Sequence, residues 1–420
     1  MIYALILFIA TYIAILSFPK IRPYIALGSA LLYLVFGFLP LAKIFEYINF
    51  NVLLMIAGTM GIVSLFIDSK MPARLADLLV RKVPNVKWAI FLLSLFAGIV
   101  SAFIDNVSTV LMIAPIALEI AKKQKINPIG MIIAIAVSSN LQGAATLVGD
   151  TTSILLGSYA NMNFVEFFFY RGKPGIFFAV ELGALVSLLI LLVIFRKETA
   201  KVSVSKLQEV NEYYSTVLLV LMVVLLIVAS FIPNTPYIIN GLICMALFLI
   251  GLAIKLIKQK NLKSLVKTIK DIDYETLLLL LGLFVVIGGI TEMGIVNKLA
   301  NLFTKIGNGN IFVIYTVIVW GSVLISAFID NIPYVATMLP VVQGIALSLG
   351  IDPTVLYFGL LCGATLGGNL TPIGASANIT GIGILRKNGY EVKNKDFLRI
   401  GVPFTLAAII PAYIYIWFVF

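Results

Sequence analysis

Two carboxylates set in apolar sequence are the residues of this chain best placed to do chemistry. Ser101-Ala102-Phe103-Ile104-Asp105-Asn106 returns, 225 positions later, as Ser326-Ala327-Phe328-Ile329-Asp330-Asn331. An ionised aspartate at the centre of a bilayer costs about 2.5–3.5 kcal/mol on insertion scales, so it faces a cavity or a partner. Neither Asp105 nor Asp330 has a Lys or Arg in its own apolar run. An uncompensated carboxylate beside an Asn carbonyl suits an alkali cation or a proton. The plainer reading is that Asp-Asn caps the following helix; duplication beside broken helices weighs against it.

A second pair of motifs keeps the same offset, Gly143-Ala144-Ala145-Thr146-Leu147-Val148-Gly149 against Gly368-Asn369-Leu370-Thr371-Pro372-Ile373-Gly374. Two motifs at one offset mean a duplicated unit. Their glycines interrupt apolar runs, which frees backbone carbonyls and helix ends inside the membrane, where they are tolerated lining a site. Asp150 breaks the symmetry, since its counterpart is Ala375; it joins the site or caps a half-helix starting at Thr151. Asn378 is the counterpart of Ser153, and Asn140 and Asn369 lie in or near the two breaks; each is a ligand or an interhelical hydrogen-bond donor. The candidate binding residues are therefore Asp105, Asn106, Asp330, Asn331, Asn140, Gly149, Asp150, Asn369, Gly374 and Asn378. Na+ is the ion that Asp105, Asn106, Asp330 and Asn331 would suit, and no other cofactor is expected. Glu181, one turn inside its span, reads as a residue of the helix start, and Pro115 and Pro340, equally spaced after the tips, as bends.

These residues must be positioned by membrane-spanning helices. The chain of 420 residues is 61% hydrophobic and 12% charged, with a mean hydropathy of +1.09, which excludes a soluble globular protein. The net charge of +11 does not signal nucleic acid, because the basic residues sit in short segments between apolar runs and set topology. Cys244 and Cys362 have no CxxC spacing and read as small buried residues. Ile2 to Phe18 lacks a basic leader and a cleavage pattern, so it reads as a permanent span. Histidine is absent, which removes HExxH proteases and leaves any proton step to carboxylates.

A crossing takes about 20 residues. The first half, 1–195, gives spans at 2–18, 24–42, 51–67 and 176–195, a hairpin at 88–120 around Asp105-Asn106 and a broken helix at 130–160. At 1.5 Å per residue the hairpin arms are about 25 and 21 Å long, so a re-entrant loop and a pair of spans both fit. A charged linker, 196–212, expected in the cytoplasm, contains no Gly or Pro and fits a surface helix. The second half, 213–420, repeats the pattern with spans at 215–232, 236–257, 274–291 and 401–419, a hairpin at 311–349 and a broken helix at 353–386. Phe50 to Leu79 resembles Tyr274 to Phe303, so Asp68 falls opposite Glu292. The fold class is all-α and polytopic, with two inverted repeats, about 10 transmembrane helices, two re-entrant hairpins and two broken helices. An odd number of crossings per half inverts the second copy. The loops of one face then hold 25 Lys and Arg against 5 on the other, which puts the first face in the cytoplasm and both termini outside the cytoplasm.

The four motifs together resemble the ion transporter superfamily, in particular the branch of arsenite permeases, NhaD-type sodium/proton antiporters and the P protein, related to the citrate and divalent anion:sodium symporters. They are Phe-Ile-Asp-Asn-Val with Pro115, Ala-Thr-Leu-Val-Gly-Asp at 145–150, Phe-Ile-Asp-Asn-Ile-Pro with Pro340, and Gly-Gly-Asn-Leu-Thr-Pro-Ile-Gly-Ala-Ser-Ala-Asn at 367–378. The resemblance implies a binding site between hairpin tips and broken helices, a homodimer and elevator-like motion. It departs from the branch at Gly149-Asp150-Thr151-Thr152-Ser153, where Gly-Asp-Pro-Pro-Asn is usual. In the divalent-anion branch the tips read Ser-Asn-Thr; acidic tips repel a dicarboxylate and favour a cation or undissociated arsenite, exchanged against protons. The expected protein is a secondary transporter of the cell membrane, with an ion or small solute and the bilayer as partners and no nucleic acid. An intramembrane enzyme using Asp105 and Asp330 as a dyad and a channel are the rival classes; the lack of any other catalytic constellation disfavours the first. Sodium/proton exchange, arsenite extrusion and citrate or dicarboxylate uptake stay open as cargoes.

Overall fold

Capping side chains start the same helices in both halves of the chain. Asn49 accepts a hydrogen bond from the Val52 amide and Asn85 from the Trp88 amide, as their counterparts Asp273 and Asn310 accept from Thr276 and Phe312, each satisfying an orphan donor of a first turn. The computed structural model describes residues 1–202 and 207–420. In the first half it gives α1 (Ile2–Ser17), α2 (Arg22–Val35), α3 (Ile44–Tyr47), α4 (Phe50–Asp68), α5 (Met71–Val80), α6 (Val86–Ser101), α7 (Asn106–Gln124), α8 (Ile129–Gln142), α9 (Thr151–Tyr159) and α10 (Ile176–Ile194). The second half repeats the series: α11 (Tyr214–Ser230), α12 (Ile239–Gln259), α13 (Leu262–Lys270), α14 (Tyr274–Glu292), α15 (Ile295–Ile306), α16 (Ile311–Ser326), α17 (Asn331–Leu349), α18 (Thr354–Gly367), α19 (Ser376–Lys387) and α20 (Asn394–Val419). Among the described residues the only strands are β1 (Phe169–Tyr170) and β2 (Lys173–Pro174), a two-residue ribbon.

Six helices, α4, α10, α12, α14, α17 and α20, are each long and apolar enough to cross a membrane. Two further pairs qualify only jointly: α1 with α2, bent by 111°, and α15 with α16, bent by 114°. Exposed apolar stripes at helical spacing, such as Ile6, Ile9 and Ile13 on α1 or Val217, Val220, Val224 and Val228 on α11, are the faces such helices turn to lipid. The repeats are interlaced. α4 packs on α12 of the other half and α14 on α2, while α10 packs on its own counterpart α20. Gly58 and Gly282 make the first two contacts possible: a Cβ on Gly58 would lie 2.4 Å from the Cys244 carbonyl carbon, and one on Gly282 2.6 Å from that of Ala26.

Both hairpins are re-entrant. The base of the first is held at one face, where the Lys87 amide donates to Glu198 O (2.9 Å) and Lys122 Nζ to Asn388 Oδ1 (3.2 Å). The base of the second lies at the other face, where Ile311 borders the same pocket as Arg171 and Asp352. Their tips nevertheless meet at one cavity, so neither crosses.

Four features differ from the sequence reading. The span expected at 24–42 is one helix only as far as Val35. The described parts of the 196–212 linker are not helical, and the expected surface helix partly falls on residues outside those described. The linker instead spends its backbone on neighbours, with Val86 N donating to Ala200 O (2.9 Å), Gln208 N to Asp77 Oδ2 (2.9 Å) and Asn211 N to Ser69 O (2.9 Å). The last helix starts at Asn394, seven residues before the expected span. Short amphipathic helices α5, α13 and α15 occupy stretches read as loops.

Candidate functional site

Each tip caps its second helix with its aspartate, but through a different amide, because Pro333 stands where the first tip has Ser108. Asp105 caps α7 through Oδ1 and the Ser108 amide (2.9 Å), and Asp330 caps α17 through Oδ1 and the Ile332 amide (3.2 Å). Behind each tip an extended segment links two half-helices. Thr146 Oγ1 donates to Ala102 O and Thr371 Oγ1 to Ala327 O, fastening each break to its own hairpin. A Cβ on Gly149 would stand 2.6–2.8 Å from the carbonyl oxygens of Gly143, Ala102 and Ser101, and one on Gly374 2.6–2.8 Å from those of Gly368, Ser326 and Ala327. Only glycine allows carbonyls to crowd both crossing points. Ser153 Oγ donates to Gly143 O (3.2 Å) and its counterpart Asn378 donates through Nδ2 to Gly368 O (3.0 Å) and Thr371 O (3.2 Å), while Asn378 Oδ1 is buried without a partner.

Polar side chains tie the two halves together between the tips. Asn106 Nδ2 donates to Asn140 Oδ1 (3.0 Å); Asn140 Nδ2 donates to Thr365 O (2.7 Å) and Asn369 Oδ1 (3.1 Å); Asn369 Nδ2 donates to Val137 O (2.9 Å). From the other tip, Asn331 Nδ2 approaches Asp150 Oδ2 at 3.4 Å, an oxygen that also accepts from Thr152 Oγ1 (3.1 Å). Asp150 Oδ1 accepts from the Thr151 amide (2.7 Å). Asp150 is thus both the cap of α9 and part of the central network.

Asp105, Asn106, Asp150 and Asn331 border one cavity of about 360 Å³. Its charged lining is Asp68, Asp105, Asp150, Asp271 and Asp273 with Lys267, and Ser64, Thr151, Thr276 and Ser376 add hydroxyls. Asp68, Lys267, Asp271 and Asp273 stand at the ends of α4, α13 and α14, so the cavity reaches the face that carries the basic loops. Asn140, Gly149, Asn369, Gly374 and Asn378 lie behind it as the frame that positions the tips.

The tips differ in charge partners. Asp105 Oδ2 is buried with no hydrogen-bond partner, whereas Asp330 Oδ2 accepts from Arg22 (2.8 Å) and Ser376 Oγ (3.3 Å). Sequence reasoning missed Arg22, because it sits in a short basic turn that membrane topology already explains. It also missed Asp271 and Asp273, whose position beside the cavity follows only from how α14 packs. Glu181 accepts from Gln142 Nε2 (3.0 Å), away from this cavity.

Inverted repeats, paired re-entrant tips and two broken helices around a polar cavity are an architecture of membrane transporters. The chain belongs to the CitMHS family, described as "Citrate transporter", whose profile matches residues 4–363. It is 31% identical over 425 residues to an uncharacterised transporter of Mycobacterium bovis, covering 99% of this chain and 98% of the relative. It is 33% identical over 332 residues to a 46 kDa membrane protein of Mycobacterium leprae, covering 78% and 76%. The P protein of Mus musculus is 26% identical over 453 residues, covering 87% of this chain and 53% of that protein. In fold the chain resembles the crystal structure of the YdaH transporter of Alcanivorax borkumensis, which has an unusual topology, with a TM-score of 0.61, 14% identity and coverage of 87% and 84%.

Proposed function

We propose that this protein is a secondary active transporter of the cell membrane that exchanges a cation or small inorganic solute, sodium or arsenite, against protons by alternating access, with Asp105 as the principal cargo ligand. The observation that carries this reading is the unpartnered Asp105 Oδ2 beside a cavity lined by five aspartates and one lysine. A buried carboxylate oxygen without a donor is costly, and a cation or a proton relieves it. Free citrate is disfavoured, because like charges at short range repel strongly in a poorly screened cavity. With the basic face in the cytoplasm, the cavity is open inward and both termini are extracytoplasmic. A homodimer with elevator-like motion belongs to the same reading.

The test uses purified protein in liposomes, with proton flux followed while sodium, arsenite and citrate are offered in turn. Saturable proton counterflow with sodium or arsenite, abolished by Asp105→Asn, supports the proposal. Flux with citrate alone overturns it.

A further inference from the structure

We infer that Arg22 is a tethered cation that fills the Asp330 half of the duplicated site, leaving the Asp105 half as the place for a mobile cation. The inference rests on the cation reading above. The two half-sites share a sequence and a break geometry, yet of the two tip aspartates only Asp330 has a cationic partner. Arg22 reaches Asp330 from 308 positions away, with its Nη1 2.8 Å from Oδ2, and both side chains are about one-fifth exposed, at 21% and 17%. Ser376 and the Ile332 amide complete the Asp330 oxygens. The cavity lining takes in Asn331 and Ile332 of this tip but not Asp330.

Arg22 is held in place rather than dangling. It opens α2 after the 111° bend from α1, and α1 is itself fastened to the second hairpin by Tyr12, whose hydroxyl donates to Pro333 O (2.9 Å). Asp273 and Glu275 add negative potential around the guanidinium. A guanidinium does not lose its proton in a protein, so this counter-ion cannot be titrated away. A free cation competing for Asp330 faces a ligand at very high effective concentration. Asp105 has no such ligand. Of the two tip aspartates, one therefore keeps its charge for cargo, in a pair that the sequence presents as equivalent.

Calorimetric titration of the intact, detergent-solubilised protein with sodium chloride in a sodium-free buffer tests this. The wild type is expected to bind one sodium, Arg22→Gln two, and the double variant Arg22→Gln/Asp330→Asn one again. Arg22→Lys keeps the charge and is expected to bind one. A folded Arg22→Gln that still binds one sodium overturns the inference while leaving the cation reading intact. Because Arg22→Gln leaves Asp330 uncompensated and could fail to fold, the neutral double variant gives a second test. It must bind one sodium within about threefold of the wild-type affinity, and loss of binding shows Asp330 to be a cargo ligand, which equally overturns the inference. Wild type that binds no sodium, or whose sodium affinity is unchanged by Asp105→Asn, removes the cation reading itself and this inference with it.

Discussion

At the residue scale, function turns on how the protein treats two aspartates that share one sequence context. Asp105 combines a capping role with an unpartnered oxygen, so the two readings of Asp-Asn in the sequence are not exclusive: Oδ1 caps and Oδ2 is free. Asp105→Asn retains the cap, since a side-chain carbonyl also accepts from an N-terminal amide, but removes the charge. Insertion and thermal stability in detergent should match wild type, while cation affinity falls about ten- to hundredfold, the worth of a charged hydrogen-bonding ligand. Unchanged affinity returns Asp105 to a purely capping role. Repetition made this residue legible, because a motif met twice at one offset cannot be dismissed as a lone cap. Arg22 was illegible, because a single basic residue between two apolar runs carries no mark of the carboxylate 308 positions away that it meets.

At the scale of elements, the broken helices are the parts with least room for change. Gly149 and Gly374 sit where an extended segment crosses the end of a hairpin arm, and an added methyl group would stand under 3 Å from three carbonyl oxygens in each case. Gly149→Ala and Gly374→Ala should each destabilise the protein by about 1–3 kcal/mol, the usual cost of overpacking a filled interior. Thermal unfolding in detergent measures it, and an unshifted midpoint in both would mean that the crossing is loose. The existence and limits of these breaks were readable from glycine placement, since α8 ends at Gln142 and α9 begins at Thr151. The amphipathic helices α5, α13 and α15 were not, because a search for long apolar runs is blind to helices with only one apolar face. The linker misled for a related reason. Lack of Gly and Pro permits a helix, but the backbone donors of its neighbours at Val86 and Lys87 draw 198–200 into extended contact instead.

For the whole molecule, the inverted repeat predicts sidedness. In a background with Cys244 and Cys362 replaced by alanine, Lys123→Cys and Leu265→Cys should react with an impermeant thiol reagent from the cytoplasm and Asn308→Cys from outside. Labelling of positions 123 and 308 from one side would refute the inversion. The symmetry extends to ion pairs at the two faces, Lys267 with Asp68 (3.3 Å) and its counterpart Lys43 with Glu292 (2.8 Å). Lys267 and Asp68 border the open cavity, while Tyr47 joins the opposite pair through its hydroxyl on Glu292 (2.7 Å). Duplication made the architecture legible, whereas the cavity's acidic wall depended on how α4, α13 and α14 meet, which no local pattern encodes.

The central claim is that a cation and a proton compete for one buried carboxylate, and cation-dependent flux in liposomes measured from pH 5 to 9 tests it most directly. If Asp105 is the shared ligand, the apparent affinity for the driving cation weakens as pH falls, approaching tenfold per unit once the carboxyl is mostly protonated, while the maximal rate at saturating cation changes much less. With no histidine in the chain, no imidazole can contribute to that dependence. A cation affinity constant across the range, with flux intact, would contradict the account.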